Sequence, residues 1–544
     1  MATKKILMLI GGKWHPWESC AAKLKEAVES TGRYSVVVTE DRDTRKAASL
    51  RKYAAVAVYT QGGKLTPDQE KGLLGFVEKG GAFVGLHSAT ASWQSSSKYI
   101  DMIGGVFGKH GPVTEFPVNI VDKEHQISRR VPDFRVTDEF YTLDKFDRDK
   151  VNVLATAMWR HQEHPIAYTK TYGKGRVFYL ALGHDERAFD HPAFQKMAVR
   201  GIDWAVGRKV RTSLKVGTIG YSDLFSMGKL HLGSLQQCGC EPVAVCELVA
   251  RHRQRAEEEY PGVKSYRSVS QMLKQSDVEL LAIITEHNTH AKLAIQCLEA
   301  GRHVVTEKPF CVTVKEADAM IAAARKNKRM LSVFHNRRWD GDYMTLKGII
   351  ARGLIGEVFH IEACMGGFSH PGYWWRSDKR IAGGAFYDWG AHVVDWVVGL
   401  VPSSIKEISG YFQEKRVWHD VSNEDHCSAA LRFANGTSAF IELSQIAAIG
   451  KPRWRVLGTL GAVEAVGEEK FRVVSHKDGM RVEMMVPYQP SDWHAYYRNV
   501  CDHLMLGDAL VVTPESAQRV ISVIETAEKS SKAGKALAPP RHCA

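Results

Sequence analysis

The sequence predicts an α/β protein wound twice from strand and helix: an N-terminal domain on a parallel sheet, a second parallel-sheet domain, then an α+β domain with a large open, mostly antiparallel sheet. Three observations carry this. Residues 35–39, 54–60 and 82–86 are apolar runs between helical segments, as strands buried on both faces require. The same alternation starts afresh at Lys215. Beyond Arg338 the pattern becomes alternating strands joined by hairpins, among them 429–433 and 438–443 around Asn435-Gly436, a turn-forming dipeptide. At 544 residues, 44% apolar, the chain is long enough for two or three domains.

In the first half, residues 5–10 read as a strand entering Gly11-Gly12, and 20–30 as a helix. Thr66-Pro67-Asp68-Gln69 opens another helix, with Thr66 as N-cap and Gln69 completing a capping box. Gly80-Gly81 stops it, and strand 82–86 ends at His87. Strand 175–182 ends at Gly183-His184-Asp185, and helix 192–206 closes the domain. In the second half, strands 215–220, 242–246, 278–285 and 303–306 alternate with helices 226–238, 289–300 and 314–328. A final helix opens at Thr513-Pro514-Glu515, ends near Gly534 and returns to the second domain; the tail 536–544 is expected to fray. The domains fall at 1–208, 215–335 and 336–544, with 209–214 as linker.

The net charge of +12 is spread along the chain without a groove-reading motif, so nucleic acid is not an expected partner; anionic cofactors or substrates are. No stretch approaches the ~18 uninterrupted apolar residues of a membrane span, and 1–12 lacks the cleavage pattern of a signal peptide. Ten scattered cysteines, of which only Cys238 and Cys240 are close, suit reduced thiols and a cytoplasmic enzyme.

Thr306-Glu307-Lys308-Pro309 stands where strand 303–306 runs out. Ligands of open α/β sheets sit beyond the carboxyl ends of the strands, so Glu307 and Lys308 are placed at a crevice. A lysine there can exchange a proton with a substrate hydroxyl, and the carboxylate beside it can hold its position and charge. A glycine turn, Gly217-Thr218-Ile219-Gly220-Tyr221-Ser222, follows the first strand of this half. It is an imperfect dinucleotide signature, with Ser222 at the second glycine and 223–227 as an insertion. Glu247 ends the next strand, where a carboxylate can accept bonds from a ribose diol and repel a 2′-phosphate, favouring NAD over NADP. Arg251 and Arg255 read as surface helix charges. Asp388 and His392 lie four apart on one helix and share a face; imidazole suits proton transfer, and the carboxylate can orient it or bind sugar hydroxyls.

From Lys215 to about Gly534 these residues resemble the Gfo/Idh/MocA oxidoreductases. The match rests on the glycine turn, Glu247, Thr285 with His290, Glu307-Lys308-Pro309, Asn336-Arg337-Arg338, Trp375-Arg376, and the run 383–392 containing Asp388 and His392. The resemblance implies a Rossmann domain, an open-sheet α+β domain, and nicotinamide-linked oxidation or reduction of a sugar or polyol. It assigns Gly220, Ser222, Glu247, Thr285, His290, Glu307, Lys308 and Asn336 to the cofactor and Arg337, Trp375, Arg376 and Asp388 to substrate. Catalysis falls to Lys308, His392 and Asp388. Glu286, where a proline is common, departs from the pattern.

Residues 1–208 resemble the trehalose-utilisation, or ThuA-like, family, whose fold is flavodoxin- and glutamine-amidotransferase-like. The match rests on Gly11-Gly12, the run 85–89, Gly104-Gly105, Asp138-Glu139-Phe140-Tyr141, the run 173–179 and Gly183-His184-Asp185. His87 occupies the place of the amidotransferase cysteine, so acyl-enzyme chemistry is not expected. His87 and His184 are the candidate catalytic residues here. His15, His110, Glu139 and Asp185 lie near the same strand ends, but no short ligand spacing marks a metal site, and none is predicted.

The expected protein is a bifunctional, NAD-linked sugar, glycoside or polyol oxidoreductase, possible products including a 3-keto sugar, with the first domain acting on the same or a related carbohydrate. A glycosidase that oxidises C3 transiently and regenerates its NAD, and a non-catalytic sugar sensor, are the rival readings. Net NADH separates the first two. A homodimer or tetramer is expected, since an open sheet needs covering.

Overall fold

The long apolar runs become central strands. The computed structural model describes residues 3–223, 226–477 and 479–543. The chain forms two compact units, one of Met1–Arg211 with Met505–Ala509, the other of Thr212–Leu504 with Leu510–Ala544.

The first unit is built on a nine-stranded sheet. Five strands are parallel, in the spatial order Tyr34–Thr39, Lys4–Gly11, Ala55–Thr60, Ala82–Leu86, Gly175–Leu180. The sheet then continues through Gln162–Tyr172, Asn152–Trp159, Val106–Ile120 and Phe134–Asp144, all antiparallel. The sequence pattern points only to the parallel part. Val106–Ile120 and Gln162–Tyr172 are partly exposed and carry charges between their apolar positions, so no continuous run announces those two. Thr66 and Gln69 form the expected capping box, each side chain accepting the other's backbone N–H at 3.3 and 3.1 Å.

The second unit contains a six-stranded, all-parallel sheet: Lys264–Tyr266, Glu241–Cys246, Lys215–Ile219, Leu280–Ile283, His303–Thr306, Leu331–Val333. An eight-stranded sheet follows, antiparallel except where Val358–Gly366 runs parallel to Ser438–Ser444. Helix Ala385–Leu400 packs on that sheet, with the buried Phe386 meeting Phe412 of strand Ile405–Glu414 at 5.2 Å between ring centres. Helix Pro514–Ala533 crosses strand Ile405–Glu414 so closely that a Cβ at Gly410 would stand 1.9 Å from the Ala527 carbonyl oxygen. The same helix packs on helix Val314–Asn327 and strand Leu331–Val333. The tail does not fray from 536: Leu537 exchanges two backbone hydrogen bonds with Ile408, at 2.8 and 2.9 Å, and Cys543 is buried. Of the insertion expected at 223–227, positions 224 and 225 lie outside the described residues. No described helix is long and apolar enough to cross a membrane.

Candidate active site

The parallel strands of the second unit deliver the predicted residues to one edge. Strand Lys215–Ile219 ends at Gly220, whose φ is +101° and whose Cβ, if present, would lie 2.1 Å from the Ile284 carbonyl oxygen; only glycine fits that turn. Glu247 follows strand Glu241–Cys246 and accepts the backbone N–H of Tyr221 at 2.8 Å and of Val249 at 2.9 Å, which puts its carboxylate beside the turn. Ser222 is exposed there. Arg255 pairs with Asp223 and, at 3.2 Å, with Glu259, so this cation is balanced locally. Thr285 shares a 2.7 Å hydrogen bond with Thr289. His290 is buried, its ring nitrogens 2.8 Å from the Pro309 carbonyl and 3.1 Å from that of Thr285. It therefore ties the end of one strand to the Lys308-Pro309 turn, the role of a positioning residue.

Lys308 is the hub. Its ammonium donates to Asp388 Oδ1 at 2.5 Å, and Arg376 donates to the same oxygen at 2.8 Å. Burial pushes the Asp388 carboxyl up, but Lys308 and Arg376 pull it further down, so it stays ionised well below the usual carboxylate range. The Arg376 guanidinium also lies 5.2 and 5.1 Å from the ring centres of Trp374 and Trp375. Glu307 corrects its expected role: it turns away from the Lys308 side chain to His231 Nε2 at 2.9 Å, and His231 Nδ1 meets the Tyr497 hydroxyl at 2.5 Å. That chain escapes sequence reasoning, because His231 and Tyr497 are 266 residues apart. Asn336 opens the short turn Asn336–Trp339. Arg337 pairs with Asp340 at 3.1 Å and stacks between Trp389 and Trp493, lining a cleft of about 350 Å³.

Around Lys308 stand three buried imidazoles. His392 has 5% exposure and a buried Nδ1 with no hydrogen-bond partner. His335, its ring centre 6.0 Å away, has neither nitrogen bonded. His287 holds the Ala382 carbonyl at 2.9 Å and meets Trp375 edge-on. Burial pushes His287 down to about 3, with His290 adding to the effect, and His335 down to about 4. Burial, then the Lys308 charge, lowers His392 well below the ordinary value. All three are neutral at pH 7. Between about pH 6.5 and 4 the unfolded chain takes up protons that the folded chain refuses, so stability falls as pH drops through that window. Thermal unfolding midpoints should decline from pH 7 to 5, and a flat profile would contradict this burial.

The first unit gathers its own site at the carboxyl ends of three parallel strands. His15 follows Lys4–Gly11, His87 follows Ala82–Leu86 and His184 follows Gly175–Leu180. One ring nitrogen from each lies within 4.8 Å of the others. His87 sits at φ +42°, in the left-handed region. Glu139, from strand Phe134–Asp144, accepts from His184 Nδ1 at 3.1 Å and lies 2.7 Å from His110 Nδ1, which faces the Gly111 carbonyl at 3.0 Å. The buried Asp138 carboxylate accepts the backbone N–H groups of Gly183 and His184, at 2.7 and 2.9 Å, and so fixes the His184 loop. Asp185 instead caps the next helix.

Comparison with known proteins follows the same division. Residues 5–205 match a family model described as trehalose utilisation, ThuA. Residues 214–335 match an oxidoreductase family with an NAD-binding Rossmann fold, and 343–464 match the GFO/IDH/MocA C-terminal domain. The uncharacterized oxidoreductase YdgJ of Escherichia coli is 28% identical over 344 residues, 59% of this chain and 97% of its own. The scyllo-inositol 2-dehydrogenase (NADP(+)) IolW of Bacillus subtilis is 23% identical over 60% of this chain and 96% of its own. An NAD-binding protein from Listeria innocua, solved by crystallography, superposes with a TM-score of 0.55 at 27% identity, covering 61% of this chain and 98% of that one.

Proposed function

We propose that this chain, a ThuA domain joined to the two domains of a Gfo/Idh/MocA oxidoreductase, oxidises or reduces a sugar, glycoside or polyol with NAD(H), Lys308 and His392 handling the hydroxyl proton. The chain belongs to that oxidoreductase family over residues 214–335 and 343–464. The observation that carries the reading is the ammonium of Lys308, fixed at 2.5 Å by an ionised Asp388, beside a neutral His392 whose buried Nδ1 has no hydrogen-bond partner.

The turn at Gly220 fits a dinucleotide, because its backbone has no room for a side chain and the Glu247 carboxylate lies next to it. The nicotinamide, when bound, accepts or supplies hydride. The remaining work belongs to the protein. Lys308 donates to the substrate oxygen, and its positive charge favours the alkoxide over the alcohol. His392, neutral at pH 7, accepts the hydroxyl proton during oxidation and returns it during reduction. Asp388, itself held by Arg376, holds Lys308 in place, and the Trp374 and Trp375 faces suit the apolar face of a sugar ring.

Replacing His392 with Asn should lower kcat by about 10²–10⁴-fold with NAD binding intact; unchanged turnover would remove it from the mechanism. The substrate class is tested by scoring a sugar and polyol panel for net NADH. The named activity of IolW makes inositols the first compounds to try. The Glu247 carboxylate should make NAD the preferred cofactor, unlike the NADP(+) of that relative's name. Changing Glu247 to Ser should narrow the NAD/NADP ratio of kcat/KM by roughly tenfold or more, one to two hydrogen bonds' worth. An unchanged ratio would move cofactor selection elsewhere. We further assign the ThuA domain to the same or a related carbohydrate, on the strength of its fusion to this oxidoreductase.

A further inference from the structure

We infer that the first unit binds one first-row divalent metal ion, zinc foremost, on His15, His87 and His184. This rests on the geometry of that unit alone and stands apart from the hydride-transfer reading.

Three strands of the same parallel stretch of sheet end at one edge, and each is followed within four residues by a histidine. Loop histidines usually satisfy both nitrogens with protein or solvent. These three satisfy one. His15 Nδ1 is 3.1 Å from the His184 carbonyl, His87 Nδ1 is 2.7 Å from the Ala181 carbonyl, and His184 Nδ1 is 3.1 Å from Glu139 Oε2. Each partner is an oxygen acceptor, so each Nδ1 carries the proton and each Nε2 presents a lone pair. This is the arrangement that orients imidazoles toward a metal, with the outer nitrogen donating to a carbonyl or carboxylate.

His87 is the second, independent sign. It is fully buried, and its Nε2 has no hydrogen-bond partner. A lone pair sealed from water without a donor is costly, and a cation removes that cost. Nor does the left-handed backbone at His87 suit a residue placed only to fill space. Protonated imidazoles holding an anion are the competing explanation, and Glu139 argues against it. Its carboxylate lies 3.5 Å from His87 Nε2 and already accepts from His184, so an incoming anion would meet a negative charge at the site.

Three imidazole nitrogens suit zinc, iron, cobalt or nickel better than magnesium or calcium, which prefer oxygen. Three protein ligands leave a position open, the pattern of catalytic rather than structural zinc. The half-exposed His184, bonded to Glu139, and the exposed His110 near the same carboxylate mark the side from which an oxygen ligand such as water or a sugar hydroxyl can approach.

The test uses the full-length chain, stripped with chelator and titrated with Zn²⁺ by calorimetry and with Co²⁺ by visible absorption. One equivalent of each should bind, Co²⁺ giving ligand-field bands. His15→Ala and His184→Gln, at positions less buried than His87, should each weaken binding at least tenfold. Glu139→Gln should weaken it by about 10–100-fold as an outer-shell partner. Unaltered NAD binding and circular dichroism would show that the variants fold. No stoichiometric uptake by the wild type, or equal affinity in His15→Ala and His184→Gln, overturns the assignment. So does phosphate binding that survives chelator and is lost in His15→Ala, because it would make the cluster an anion site.

Discussion

Lys308→Ala lowers kcat by about 10²–10⁴-fold in either direction, with NAD affinity little changed. The expectation follows from what the side chain touches. Its ammonium meets Asp388 and no other carboxylate at hydrogen-bonding distance among the described residues, and its backbone N–H rather than its charge is what Glu307 accepts, at 3.0 Å. Removing it leaves Asp388 held by Arg376 at 2.8 Å, so the helix bearing Asp388 and His392 keeps one of its anchors. The loss therefore falls on turnover. Steady-state kinetics with the best substrate from the panel, together with calorimetric NAD binding, measure both halves. A drop in kcat of less than tenfold would sink the central role given to this residue. Loss of NAD binding would instead mean that Lys308 supports the cofactor.

Arg338→Ala should destabilise the fold by about 3–5 kcal/mol, the cost of stripping a buried carboxylate of its cation. Asp395 lies one turn beyond His392 on helix Ala385–Leu400, and Arg338 grips it with two bonds of 2.8 and 2.6 Å. The guanidinium also reaches the Val511 carbonyl at 2.9 Å and the Ser516 hydroxyl at 3.1 Å. It thus links the helix carrying His392 to the C-terminal helix. Burial pushes the Asp395 carboxyl up, and Arg338 brings it down past its ordinary value. In the wild type the pair's contribution is present above about pH 4 and is lost as pH falls below that. In Arg338→Ala the main opponent of burial is gone, the Asp395 carboxyl rises, and the deficit should shrink as pH is lowered from 7. Urea unfolding at pH 7 and pH 5 reads both effects. Replacing Asp395 as well, with Leu, should recover part of the loss. A deficit below about 1 kcal/mol, the range of exposed pairs, would show that the carboxylate reaches water.

The second unit is the more legible in sequence, for a local reason. Its glycine turn, Glu247, Lys308 and the helix with Asp388 and His392 each occupy a short stretch whose pattern has a mechanism. A positive φ at Gly220, a carboxylate at a strand end and a four-residue spacing on a helix can all be read without knowing what lies across the crevice. Glu307 reads correctly as an edge residue, but adjacency in sequence suggests Lys308 as its partner, and the fold gives it His231 instead. His335 and His287 escape notice, because a lone histidine at a strand end looks the same whether it meets water or is sealed in. Strands Val106–Ile120 and Gln162–Tyr172 of the first unit escape on similar grounds, their half-exposed faces carrying no continuous apolar signal.

By itself the sequence determined the two α/β windings, the antiparallel texture after Arg338, the capping of the helix at Thr66 and the candidate residues at the nucleotide crevice. These depend on periodicity and on backbone preferences that act over a few residues. Only the tertiary structure decided which charge answers which. It turned Lys308 to Asp388, Glu307 to His231 and Arg338 to Asp395, and it drew His15, His87 and His184 to one point from 169 residues of separation. The physical reason is that a parallel sheet aligns the carboxyl ends of strands far apart in the chain, and such alignment leaves no short spacing to read.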